Sequence, residues 1–457
     1  MQLSRRSVLF AAFAASSTAA LAACGSSDSS SSTGTGAAGA VDGKGKTLTV
    51  LVAAQPNYPT QFAAWSKQVT DAFTAATGAT LAIETFSNSA EETTKIQASI
   101  VAGTGPDVYQ LGTTFTPVAY GTGGFLELSA DDWKAIGGRE KFSPETFGMS
   151  GPSEDKQIGI PSATRPFVYA YNTEMFTAAG IASPPTTWND LIAAATKLTS
   201  DGTYGMAVAY ADGYDPWKYI WAFTEQTGGS YVSEDLTKAQ LDSEQVKNAV
   251  AQYFGLLTQH KVVDPAAVGW KSGDALAAFS GGKAAILPMT SAAAVPALDQ
   301  GAVKGKYAFA PLPDVAPGQT SRPAGAPPAQ SIVSGDNLAI ASYTPNKDLA
   351  LAYVKLVTDA EIQQAQFTYF GNLPTNKEAL AAVTSANPVL APMAAAEKGS
   401  TPTAFTGAWA DVQNGVQNVV VQSLPELAKG SVDPASTASL LEAANAKAQA
   451  SLDRAAR

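Results

Sequence analysis

The 457-residue sequence predicts an α/β protein arranged in two lobes. Three observations carry that expectation. Apolar strand-like runs alternate with helix-patterned segments from Thr47 onward, and the same alternation starts afresh near Phe167. The chain is also long enough for two or three domains. Strands alternating with helices imply parallel pairing through right-handed crossovers.

Taken in order, "TLTVLVAA" from Thr47 is a short apolar strand. Phe62, Trp65, Val69 and Phe73 then fall at helical spacing, and Gly78 is a stop. "TLAIET" is the second strand, "AEETTKIQASIVAG" a helix with Ile96 and Ile100 on one face, and "DVYQL" the third strand. In parallel α/β sheets ligands sit beyond the carboxyl ends of the strands. Gln55, Asn57 and Tyr58, then Ser87 and Asn88, then Thr113 and Thr114 occupy those places. The second α/β stretch opens with the strand "FVYAY" and a proline-led helix in which Thr187 and Asp190 have capping-box spacing. A proline-rich run over 306–330 reads as a long extended connection; "NLAIAS" is a further strand, followed by a helix from about Asn346. There is no tandem repeat of solenoid period.

The first forty residues have a different character. Arg5 and Arg6 precede an apolar run over 8–15 and then small residues, the layout of an export signal. The run is shorter than the roughly 20 residues that span a bilayer. "SRRSVLF" carries twin arginines, which leaves two export routes open. The sole cysteine, Cys24, ends "LAAC", which resembles the lipobox of bacterial lipoproteins, where the thiol is diacylated and becomes the new N-terminus. Residues 1–23 are therefore expected to be a signal peptide and 24–45 a lipid-anchored Ser/Gly tether on the outer face of the cytoplasmic membrane. The acidic balance, 39 Asp and Glu against 29 Lys and Arg, argues against nucleic-acid binding.

Four stretches, in order, resemble segments of the bacterial extracellular solute-binding proteins of family 1. They are "IQASIVAGTGPDVYQLG", "IGIPSATRPFVYAYNTEMFTAAGIASPPTTWNDL", "DALAAFSGGKAAILPM" and "TPNKDLALAYVKLVTDAEIQQAQFTYFGNLPTNKEAL". The resemblance implies the two-lobed type II periplasmic-binding fold, similar to that of maltose-binding protein. It places 46–162 with 333–373 in one lobe and 163–332 with 374–457 in the other, with crossings near 161–166, before Ser334 and near 372–374. It further implies a monomeric carrier that takes a sugar or oligosaccharide from an interlobe cleft to the permease of an ATP-binding-cassette importer driven by a cytoplasmic ATPase. No cofactor or metal is implied. A carrier for a polyol or glycerophosphodiester is the alternative, and a secreted glycan-processing enzyme a remoter one.

A sugar is held by aromatic rings against its apolar face and by planar polar groups on its hydroxyls. "ADGYDPWKYIWAF" supplies Tyr214, Asp215, Trp217 and Trp221, the two tryptophans four residues apart on one helix face. Such spacing equally suits a core. By resemblance, Trp409 is a stacking aromatic, Arg165 a charged contact in the loop before the Tyr-Asn strand, and Asp336 with Asn337 part of a cleft-lining loop. Where the family often has Gly or Trp after its third segment, this chain has "MTSAAAV".

Catalytic patterns are weak. His260 is the lone histidine, without a cysteine or second histidine nearby. "FSGGKAA" lacks the first P-loop glycine and has Ala284 where Ser or Thr would hold magnesium. The "GTGG" at 121–124 is no dinucleotide fingerprint, and Asp131 with Asp132 fits a helix start better than an acid/base pair.

Overall fold

The computed structural model describes residues 41–455 apart from 57, 88 and 201. The expected signal segment, Cys24 and most of the tether lie outside those residues.

The strands are β1 (Thr47–Ala53), β2 (Thr80–Phe86), β3 (Val108–Gly112), β4 (Ile160–Thr164), β5 (Val168–Asn172), β6 (Tyr204–Met206), β7 (Ala284–Thr290), β8 (Tyr307–Pro311), β9 (Ser331–Ile332), β10 (Gly335–Ile340) and β11 (Ser400–Thr401). They form a five-stranded sheet in the order β2-β1-β3-β10-β4, a four-stranded sheet β6-β7-β5-β8 and a small pair β11-β9. Each of the two larger sheets is the centre of one lobe.

The expectation of parallel pairing holds for β1 with β2 and β3, and for β6 with β7. It fails for β10, which runs antiparallel between β3 and β4, and for β5, which is antiparallel to both β7 and β8. The crossover rule governs successive strands joined within one sheet. β10 instead enters the first sheet after an excursion through the second lobe, so its direction is set by where the chain re-enters. The run over 306–330 is likewise not all connection, because its start is β8, paired with β5.

Helices cover the sheets with their apolar stripes. In helix Pro59–Thr77, Trp65, Val69, Phe73 and Thr77 are buried at four-residue spacing, and Gly78 ends the helix at φ 70°. Trp65 meets Phe370 edge-on at 6.1 Å, and Phe73 meets Tyr353 at 6.2 Å. The second lobe has the larger aromatic core, drawn from helices Pro216–Gln226, Glu244–Thr258 and Trp409–Leu427.

The chain passes between the sheets at three places: between β4 and β5, between β9 and β10, and after helix Ala360–Phe370. Thr164 and Leu373 exchange backbone hydrogen bonds of 3.0 and 3.3 Å, which lashes the first crossing to the third. Two glycines permit this convergence. Gly371 has φ 71°, and a Cβ there would stand 2.4 Å from the Ala292 carbonyl oxygen. Gly335 has φ 155°, and a Cβ there would stand 2.1 Å from the Ala163 carbonyl oxygen.

Candidate functional site

A cavity of about 350 Å³ lies between the two sheets, lined from both lobes. From the first lobe come Gln55 and Tyr58 after β1, Gln110 of β3, and Asp336 at the start of β10. Because β10 is antiparallel, with Asp336 paired to Gly112, its beginning lies at the same sheet edge as the end of β3. From the second lobe come Asp215 and Tyr219 around the start of helix Pro216–Gln226, Ser272 at the start of helix Ser272–Ser280, and Thr290 and Ser291 from the end of β7.

Arg165 sits where all three crossings meet. Its Nη1 and Nη2 donate to Asp336 Oδ2 and Oδ1 at 2.7 and 2.5 Å, a bidentate pair, and Nη1 lies 3.4 Å from Asn372 Oδ1. Its backbone N–H donates to Ser334 O at 2.9 Å. A second ion pair joins Lys218 to Asp215 at 2.9 Å, with the ammonium 4.5 Å from the centre of the Phe167 ring. Burial raises the Asp215 pKa, Lys218 opposes the rise and Asp212 adds to it. Both cleft carboxylates thus carry their own counter-charge.

Other groups set the geometry of these. Asp212 accepts the N–H groups of Tyr214 and Asp215 on Oδ1 at 2.8 and 3.0 Å, and that of Ser272 on Oδ2 at 2.9 Å, so one carboxylate positions two cavity segments. Gln110 Oε1 accepts the Ala53 N–H at 3.0 Å, which leaves its NH₂ as the half of the amide able to donate into the cavity. Tyr58 reaches across the cleft, its hydroxyl donating to Ala293 O at 2.9 Å.

Glu92, on helix Ser89–Ala102, lies under the same sheet edge and accepts the Gly112 N–H at 3.3 Å. Burial pushes its carboxyl up to about 8, the Gly112 bond opposes that and the Asp336 charge adds to it. Between the ordinary value of 4.5 and about 8, the folded chain holds a proton that the unfolded chain has lost. Stability therefore falls as pH rises through this window, by up to about 1.4 kcal/mol per unit. Glu92→Gln should flatten that slope in urea unfolding across the window. A slope unchanged by the substitution would show that Glu92 does not cause it.

Of the residues expected to bind, Tyr58, Arg165, Asp215 and Asp336 line the cavity. Asn57 and Asn88 fall outside the described residues. Gln55, singled out with Asn57 and Tyr58 at the end of β1, lines the cavity too, and the other expected residues among those described lie elsewhere. Asn337 is fully buried, its amide donating to Thr116 Oγ1 and Met149 O, both at 3.0 Å. Thr113 is buried and donates to Val333 O at 3.0 Å, serving the crossing. Thr114 is half-buried and Tyr214 surface-exposed, both outside the lining. Trp217, Trp221 and Trp409 are at most 3% exposed and pack in the second-lobe core, Trp409 edge-on to Trp217 at 6.0 Å and stacked on Tyr231 at 6.2 Å. Helix Pro216–Gln226 is buried almost all round, so its tryptophan stripe faces protein, and the residue between them, Tyr219, reaches the cleft. Tyr219, Gln110, Asp212, Ser272 and Phe370 were not among the expected site residues. The position of Tyr219 four residues after Asp215 is the one sequence signal that could have found any of them.

Among the described residues no cluster of His, Cys, Asp and Glu could hold a metal ion, and no single helix is long and apolar enough to cross a membrane.

Comparison with known proteins gives a consistent result. The family described as bacterial extracellular solute-binding protein matches residues 56–364. The diacetylchitobiose binding protein DasA of Streptomyces coelicolor is 25% identical over 359 residues, covering 74% of this chain and 75% of that one. Maltose-bound MalE3 of T. maritima superposes with a TM-score of 0.72 at 20% identity, covering 87% of this chain and 98% of that one. A solute-binding protein of Agrobacterium radiobacter K84 in complex with ribitol also gives 0.72, at 21% identity, covering 90% and 99%. The fold is that of two-lobed periplasmic binding proteins.

Proposed function

The chain belongs to the bacterial extracellular solute-binding proteins, and we propose that it carries a neutral sugar or short oligosaccharide in the cleft between its lobes. The observation that carries this reading is the electrical balance of the cavity. Asp336 is matched by Arg165 and Asp215 by Lys218, so neither lobe offers a spare charge to an ionic solute, while carboxylates, carboxamides and hydroxyls remain for neutral hydroxyl groups. The same pairing disfavours a glycerophosphodiester, whose phosphate asks for an uncommitted cation. A polyol stays as the second reading, supported by the ribitol-bound neighbour of like fold.

Binding is hinge closure. A solute touching Gln110 and Asp336 on one lobe and Asp215 and Tyr219 on the other favours the closed form, because only that form offers both sets at once. The closed chain would then dock on a permease served by a cytoplasmic ATPase, acting as a monomer and doing no covalent chemistry itself. Retention at the outer face of the membrane would rest on the lipid at Cys24, for which the lipobox-like "LAAC" is the support.

A thermal-shift screen against neutral sugars tests the reading. A ligand at a hundred times its Kd adds about 2.7 kcal/mol, which for a chain this long raises Tm by about 3 °C. No shift with any sugar or polyol, or conversion of the sugar to product, would reject it. The Tyr58 bridge adds a second expectation. Its hydrogen bond joins the two sides of the cleft, so closing the lobes favours it, and it is worth about 1 kcal/mol. Tyr58→Phe should weaken solute affinity about fivefold by calorimetry, and an unaltered Kd would remove Tyr58 from the closing device.

A further inference from the structure

The second lobe presents a wall of small apolar side chains to the cavity. Ala207, Ala209, Ala275, Leu287 and Ala294 all line it and belong to one contiguous hydrophobic cluster. Ala207 and Ala209 follow directly on β6, and both line the cavity. The Ala207 N–H donates to Ile286 O at 2.9 Å, which sets this segment beside β7 and Leu287. Methyl groups offer an ordered water no hydrogen bond, so water against these side chains is poorly held. Nothing in that wall can hydrogen-bond a sugar hydroxyl, whereas Gln110, Asp336 and Asp215 elsewhere in the same cavity can.

We infer that the alanine wall receives a methyl-terminated substituent of the sugar, so that the preferred solute is an acetamido or 6-deoxy sugar rather than its plain hydroxylated counterpart. This rests on the sugar-binding reading above. A hydroxyl pressed on the wall would be desolvated without a partner, whereas a methyl gains from burial; one such apolar group commonly discriminates by tenfold or more.

Matched pairs test it on the full-length chain by calorimetry: N-acetylglucosamine against glucose for the acetamido form, and D-fucose against D-galactose for the 6-deoxy form. The expected result is at least a tenfold tighter Kd for the methyl-bearing member of one pair. Ala209→Leu, which fills the recess, should erase that preference, and Ala275→Val should reduce it; a thermal unfolding curve of each unliganded variant establishes that it is folded. Equal affinities within both pairs would overturn the inference and leave the sugar reading standing. Silence of all four while other neutral sugars bind would overturn the inference alone, and silence of the whole neutral panel would overturn both.

Discussion

Arg165→Ala is expected to destabilise the folded chain by about 3–5 kcal/mol, the usual cost of leaving one member of a buried ion pair behind. The Asp336 side chain is 7% exposed, takes both guanidinium bonds and stands near Glu92, which offers it no positive charge. The variant would also loosen the hinge, because the guanidinium ties the first crossing, where Arg165 sits, to Asp336 after the second and Asn372 at the third. Replacing both partners with apolar groups of similar size, Arg165→Met with Asp336→Leu, should recover most of the stability, since neither charge is then stranded. It should not recover solute binding, which needs the Asp336 oxygens. Urea unfolding with calorimetry on the single and double variants separates these effects. A loss under about 1 kcal/mol in the single variant would mean the pair is solvated and holds nothing together.

Trp409→Ala has an effect of similar size and a different meaning. The indole is 1% exposed, wedged against Trp217 and Tyr231, and its Nε1 has no hydrogen-bond partner, so it acts by packing. Removing it should cost about 3–5 kcal/mol through lost burial and the cavity left behind. Solute affinity of the folded fraction should stay within about twofold of the parent, because Trp409 does not line the cleft. A tenfold loss of affinity with stability intact would instead make Trp409 a stacking platform.

These two residues mark what the sequence discloses and what it withholds. Strand positions were legible where apolar runs are short and bounded: "TLTVLVAA" became Thr47–Ala53, "TLAIET" became Thr80–Phe86 and "DVYQL" became Val108–Gly112. Helix ends were legible where local chemistry decides them, as when Thr187 Oγ1 accepts the Asp190 N–H at 3.1 Å. Strand direction in β10 was not, because it depends on a re-entry point that no local pattern encodes.

The same division runs through the cleft. Arg165 was legible through a segment that resembles the family, Asp336 through its place in a loop that lines the cleft in the family, and Asp215 through its place ahead of a helix. Gln110 was not, since a glutamine in a short apolar strand looks like an ordinary polar position until its oxygen is seen held by Ala53 N–H. Four-residue spacing says that Trp217 and Trp221 share a face, but says nothing about whether that face meets solute or protein. In a helix buried on nearly every side the spacing loses its meaning.

The central claim is that a neutral solute is gripped from both lobes at once. A crystal structure of the chain grown with the tightest-binding sugar from the panel tests this most directly. The account predicts one sugar in the interlobe cavity, chemically intact, hydrogen-bonded to Gln110 or Asp336 on one side and to Asp215 or Tyr219 on the other. A sugar bound to a single lobe, or seated away from this cavity, would contradict it.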